Sequence, residues 1–171
     1  MRIVVTLIML IGLSVAIMGQ ELSLEDGWKN IKVLKTKRVV IEKLFGSPES
    51  PDDGNIVYRT GEGNVVVIYS ADPCTKTTFG RGDFNLEKDV VIQYQVYLRR
   101  PMPIARMKWN KELYKRVEEP HILNAYHIGS AEKGVSFSTL MEADGREYVT
   151  GLSYFHTKEL GEKFRCRASV Q

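Results

Sequence analysis

Apolar and polar positions alternate most cleanly over residues 90–98. There Val90, Ile92, Tyr94, Val96 and Leu98 fall on one side and Val91, Gln93, Gln95 and Tyr97 on the other. Period-two spacing predicts a strand with one apolar face, and these five residues are expected to point into the core. Two β-rich runs, 56–60 and 64–70, flank Gly61-Glu62-Gly63 and predict a hairpin. Further strands are expected at 122–128, 134–140 and 147–156, with Ala143-Asp144-Gly145-Arg146 turning the chain between the last two.

Helical spacing occurs near the front of the chain. Leu24, Trp28 and Ile31 predict a short helix or turn that lays Trp28 on the core. A clearer helix follows, capped by Thr36, with Val40, Ile41, Leu44 and Phe45 as its apolar face and Gly46 and Pro48 as its stop. Val40, Leu44 and Phe45 are expected to pack over the 90–98 strand. Strand then follows strand without helices of crossover length, which predicts an antiparallel sheet packed by one or two short helices, an α+β fold.

The first residues have a different pattern. A single charge, Arg2, precedes an apolar run from Ile3 to Met18, and small residues end it at Ala16 and Gly19. That order predicts a signal peptide over residues 1–19 and one domain over 20–171, exported to a periplasm or secreted, with an uncleaved N-terminal membrane anchor as the alternative. No cysteine precedes Cys74, so the lipid-modified N-terminus of an anchored lipoprotein is not expected. Two cysteines in an exported chain, Cys74 and Cys166, are read most simply as one disulfide.

Composition narrows the function classes. The 171 residues are 43% hydrophobic and 26% charged, as in ordinary folded proteins, and the net charge of +3 is too small to suggest a nucleic-acid partner. The charge is nevertheless uneven. Arg99, Arg100, Arg106, Lys108, Lys111, Lys115 and Arg116 crowd one segment against Glu112 alone, with Trp109 and Tyr114 interleaved. Cations among interfacial aromatics suit an anionic partner, here an anionic envelope component or an acidic protein. The plainer alternative is a solvated face whose aromatics merely pack.

Chemistry has fewer signals. The histidines, His121, His127 and His156, lack metal-ligand spacing, and no nucleophile elbow, phosphate loop or dinucleotide fingerprint occurs, so neither metal nor cofactor is expected. The enzyme reading that remains is a small extracytoplasmic catalyst using His127 and His156 with a carboxylate such as Glu147. Residues 71–88 form the longest stretch without periodicity and contain Arg81-Gly82-Asp83, a polar turn that as an exposed tripeptide could mimic an adhesive ligand.

The segment from Leu34 to Pro48, a short helix ending in Leu44-Phe45-Gly46-Ser47-Pro48 before a hairpin, resembles the helix-to-sheet motif of SmpA/OmlA-like envelope proteins and the related β-lactamase-inhibitor-protein-like fold. Gly27-Trp28, Tyr69-Ser70, Pro73-Cys74, Phe84-Asn85-Leu86 and Arg165-Cys166 resemble a group of uncharacterised exported bacterial proteins. The resemblance implies a small envelope or secreted domain and no catalytic residue. Together these readings describe an exported, non-enzymatic binding or envelope-associated domain, of open ligand and oligomeric state. Mass spectrometry of the native protein is expected to find its first residue between Ile17 and Glu21, and intact Met1 in a membrane pellet would reverse the reading to an anchor.

Overall fold

The computed structural model describes residues 22–49, 55–77 and 80–166; the expected signal peptide lies outside the described residues. Nine strands and two α-helices follow in order: β1 (Leu22–Ser23), α1 (Arg38–Phe45), β2 (Ile56–Arg59), β3 (Gly63–Tyr69), β4 (Val91–Pro103), β5 (Met107–Lys108), β6 (Lys115–Glu118), β7 (Ala125–Ser130), β8 (Val135–Met141), β9 (Glu147–Phe155) and α2 (Lys158–Phe164). Seven of the strands form one sheet in the order β2-β3-β4-β9-β8-β7-β6, and every neighbouring pair is antiparallel. The fold is α+β, as the strand-after-strand pattern predicts.

Register explains where the core sits. Tyr58, Val65, Val96, Leu152, Phe137 and Ile128 lie side by side across six strands, and none is more than 1% exposed. A second row runs Ile56, Val67, Tyr94, Tyr154, Val135. This face is covered by the front of the chain, through Leu24, Trp28, Ile31 and Ile41, and by the connection from β4 to β6, through Met107 and Tyr114. The two covering segments join as a parallel pair, Leu22 beside Met107 and Ser23 beside Lys108. The opposite face carries smaller side chains, with Gln95, Ser153, Ser136 and Gly129 in one row.

Phenols are prominent in this core. Burial holds Tyr69, Tyr94 and Tyr154 well above the ordinary tyrosine value, raises Tyr58 and pushes Tyr114 up to about 12, so all stay neutral at physiological pH. Tyr58 and Tyr69 satisfy each other, hydroxyl to hydroxyl at 2.9 Å.

Two expectations about the core need correction. The first concerns α1, where Ile41 is fully buried and Phe45 stacks on Trp28 with centroids 5.5 Å apart, whereas Val40 and Leu44 are 46% and 48% exposed. A two-turn helix presents only one i, i+4 stripe to a flat sheet, and here that stripe is 41 and 45. Nor does Thr36 cap it. Its hydroxyl accepts the Lys32 N–H at 2.8 Å, and the N-cap position belongs to Lys37. The expected stop does hold, with Gly46 at φ 83° giving its N–H to the Glu42 carbonyl.

The second correction is in β4. Ile68 faces Gln93 but Tyr69 faces Val91, so Ile92 is an extra residue in a bulge. One extra residue inverts the alternation. Val91 therefore joins Tyr94 and Val96 in the main core, while Ile92, still buried, packs with Leu34 and Phe84 in a separate cluster. Leu98 is only partly buried against the main core.

The chain also forms elements its pattern did not announce. β4 runs on to Pro103, β7 starts at Ala125 and leaves Ile122 and Leu123 exposed in the preceding loop, β6 is a short strand, and α2 closes the domain. Ile41→Ala is expected to lower stability by about 2–5 kcal/mol in urea unfolding, and Leu44→Ala by less than about 0.5 kcal/mol, which separates the buried stripe from its exposed neighbour.

Candidate functional site

β4 pairs with β9 as far as Tyr97 beside Gly151, and the ladder resumes only at Met102 beside Val149. Five steps on β4 thus match two on β9, and residues 98–101 arch out of the β9 ladder while Leu98 stays paired with Gly63 of β3. Pro101 lies within the break and has no N–H to give a ladder, whereas Pro103 falls in the resumed pairing beside Tyr148. On its other side the arch is held by the Arg99 N–H, which donates to the Glu62 carbonyl at 2.8 Å.

Beneath the arch lies a cleft of about 720 Å³. Its floor is apolar, from Leu22, Trp28, Leu98, Met102 and Leu152, and Arg99, Arg100 and Arg106 stand around it. The carboxylate in the lining, Glu62, is already neutralised by Lys29 at 2.8 Å. None of the three arginines has an ion-pair partner among the described residues. Three guanidiniums over an apolar floor can hold an anionic group at the rim while hydrocarbon fills the base.

The basic segment does not form one surface. Lys108 lies on β5 and Lys111 on the short 3-10 turn Lys111–Leu113, both exposed. Lys115 and Arg116 lie on β6, four strands from β4, or about 19 Å at roughly 4.8 Å per strand. Arg116 is already engaged, 2.9 Å from Glu147 and 3.7 Å above the Tyr126 ring. The aromatics need correction too. Trp109 and Tyr114 turn inward, edge to face with each other at 5.3 Å, and Trp109 meets Phe137 at 5.1 Å, so Tyr114 joins the core and the partly buried Trp109 packs against it.

The histidines are not brought together. His127 sits beside Ser138, which sits beside Gly151, and His156 is five residues further along β9's path. That is about 10 Å across the sheet and about 17 Å along it. Burial, and then the charge of Arg165, holds the His156 imidazole below its usual value, and its ring meets the edge of Phe84 at 5.0 Å. Glu147 serves Arg116 and the Thr139 hydroxyl instead of a histidine. His121 is exposed in the loop before β7. Among the described residues, no cluster of three or more His, Cys, Asp or Glu could hold a metal.

Cys74 and Cys166 are joined, closing 92 positions of chain with Cα atoms 5.5 Å apart. The bond straps the loop after β3 to the end of α2, aided by Asn85 N–H on the Phe164 carbonyl and Cys166 N–H on the Asp83 carbonyl. Arg81-Gly82-Asp83 is folded into this strap, with Asp83 exposed but its two neighbours tied down. Arg81 Nε donates to the Tyr69 carbonyl at 2.9 Å, and Gly82 is buried with its N–H on the Thr77 hydroxyl.

Sequence reasoning found the three arginines but missed the floor, because Leu22, Trp28 and Leu152 come from distant parts of the chain. The available signal was Pro101-Met102-Pro103 directly after a strong strand, which marks a break in a ladder. The chain matches no protein-family model, no curated protein and no solved structure. Replacing Cys74 and Cys166 together by Ser is expected to lower stability by about 2–5 kcal/mol and to open residues 71–88 to limited proteolysis. An unchanged unfolding midpoint and an unchanged cleavage pattern would show that backbone bonds alone hold the strap.

Proposed function

We propose that this chain is an exported binding domain, not a catalyst, and that its cleft takes an anionic amphiphile of the cell envelope. The observation that carries the reading is the pairing of Arg99, Arg100 and Arg106 with a floor of Leu22, Trp28 and Met102 in one cleft. A purely acidic polymer needs the cations but not the floor. A phosphate or carboxylate head with an acyl tail uses both, and a cavity of this size falls within the range of small-molecule sites, about 300–1,000 Å³.

Export is supported by the disulfide, which persists in oxidising compartments, and by the apolar segment after Arg2. Among the described residues no helix is long and apolar enough to cross a membrane. The likeness of the helix-to-hairpin motif to SmpA/OmlA-like proteins supports an envelope setting. The enzyme reading has less to stand on, because His127, His156 and Glu147 do not converge.

The test is binding to vesicles with and without phosphatidylglycerol, at low and high salt. Wild type is expected to bind the anionic vesicles and to weaken as salt rises, because exposed charges more than about 8 Å apart are screened at physiological ionic strength. Arg99→Glu, Arg100→Glu and Arg106→Glu together should abolish binding, while Met102→Gln should weaken it and leave the salt slope unchanged. Equal binding by the triple variant would remove the cleft as the site, and indifference to Met102→Gln would leave a charged polymer as the ligand.

A further inference from the structure

The two edges of the seven-stranded sheet are finished differently. At β2 the edge is occupied, since the Glu49 N–H donates to the Val57 carbonyl at 2.8 Å and the Glu49 carboxylate pairs with Arg59 at 2.9 Å. At β6 all four residues are exposed. The Glu119 N–H points to the Ala125 carbonyl of β7 at 2.9 Å, so alternation turns the backbone groups of Lys115 and Val117 towards β7 and those of Arg116 and Glu118 outward. No backbone partner meets those outward groups among the described residues. An open edge of this kind is a template for another strand.

We infer that the occupant is β6 of a second copy of this chain, paired antiparallel about a two-fold axis through Val117. The order Lys115-Arg116-Val117-Glu118-Glu119 is self-complementary in that register. Val117 faces its own copy, Arg116 faces Glu118 of the second copy, and Lys115 faces Glu119 of the second copy. Opposite charges flank an apolar centre on both sides, and directly opposed pairs are the unit of cross-strand stabilisation.

The alternatives are disfavoured by the same residues. A shift of the pairing by two residues sets Arg116 against Arg116 or Glu118 against Glu118. A shift by one puts core-facing Arg116, which aligns with Ile128, opposite Val117, which aligns with His127 on the other face. The hydrogen bonds agree with the charges, because Arg116 and Glu118 are the residues whose outward groups would be exchanged, and Val117 falls at the non-bonded position. Val117 is also a large apolar side chain left 60% exposed, with Ile122 and Leu123 exposed just beyond the same strand. Arg116 needs little ordering, since Glu147 and the Tyr126 ring already hold it.

A four-residue pairing buries less than the roughly 1,200 Å² of a stable interface, so the dimer is weak and concentration-dependent. Sedimentation equilibrium of the chain from roughly 10 μM to 1 mM tests it. Wild type is expected to self-associate. Glu118→Pro, which removes an outward N–H and leaves the ladder to β7 intact, and Glu119→Lys, which sets lysine against Lys115, should each weaken the dimer by about tenfold or more. The exchanged variant Lys115→Glu/Glu119→Lys restores both opposed pairs and should restore association, with near-UV circular dichroism confirming that each variant is folded. A monomer throughout the range, a dimer indifferent to both single changes, or an exchanged variant that fails to recover would overturn the inference. So would a monomer that takes up an unrelated extended peptide along β6.

Discussion

The hydroxyl of Tyr94 is the point on which the covering layer depends. It stands near the middle of the sheet, accepts the Trp28 N–H at 3.1 Å and donates to the Ile31 carbonyl at 3.2 Å, while its ring stacks on Tyr154 at 4.6 Å. A segment more than sixty residues away in sequence is thereby held against the strand. Gly27 is required there, because at φ 76° a side chain would meet the Ile31 carbonyl at 2.5 Å and the Tyr94 hydroxyl at 3.3 Å. Losing the hydroxyl leaves a buried N–H and carbonyl without partners, at about 1–3 kcal/mol each. What that tie positions is Trp28, and through it the stacked Phe45 and the wall of the cleft. The stacked neighbour differs, since the Tyr154 hydroxyl is buried with no partner among the described residues, and its value lies in the ring.

How much of this was legible in the sequence follows from whether the cause was local. Strict alternation gave β4, the glycine turn gave the β2–β3 hairpin, and Gly46 ended α1, because each rests on neighbouring residues. The bulge at Ile92 was not legible, since an extra residue is defined only by counting against Ile68 and Tyr69 on another strand. β6 was missed because Lys-Arg-Val-Glu has one apolar residue and resembles solvated loop. α2 had a readable start, with Thr157 accepting the Leu160 N–H at 3.2 Å and Leu160 and Phe164 spaced i, i+4, but the strand pattern running to His156 obscured it.

The candidate site shows the same division more sharply. Charge density along a chain says nothing about where a crossing connection will put the charges. Between β4 and β6 the chain leaves the third strand of the sheet and arrives at the seventh, so seven cations adjacent in sequence are dealt to an arch, a turn and a far edge. Trp109 and Tyr114 lie on that connection, and the apolar row beneath them, through Phe137, draws them inward; about 25 cal/mol per Å² of buried apolar surface favours that over display among cations. What remains around the cleft is a smaller, better defined group of three arginines over hydrocarbon.

The two proposals meet in the symmetry of the sheet. A two-fold axis through Val117, perpendicular to the sheet, keeps core face with core face, so the covering layers of both copies lie on one side. Each cleft is lined from that side, by Leu22, Trp28, Met102 and Leu152. A β6-paired dimer would therefore set both clefts on the covered side of one continuous sheet, separated by the width of the intervening strands. Two weak sites that reach one surface would bind it with an avidity that neither has alone, and a weak dimer would be strengthened when both copies are held there, because confinement raises their effective concentration. A modest cleft and a modest edge would in this way reinforce each other on an anionic surface.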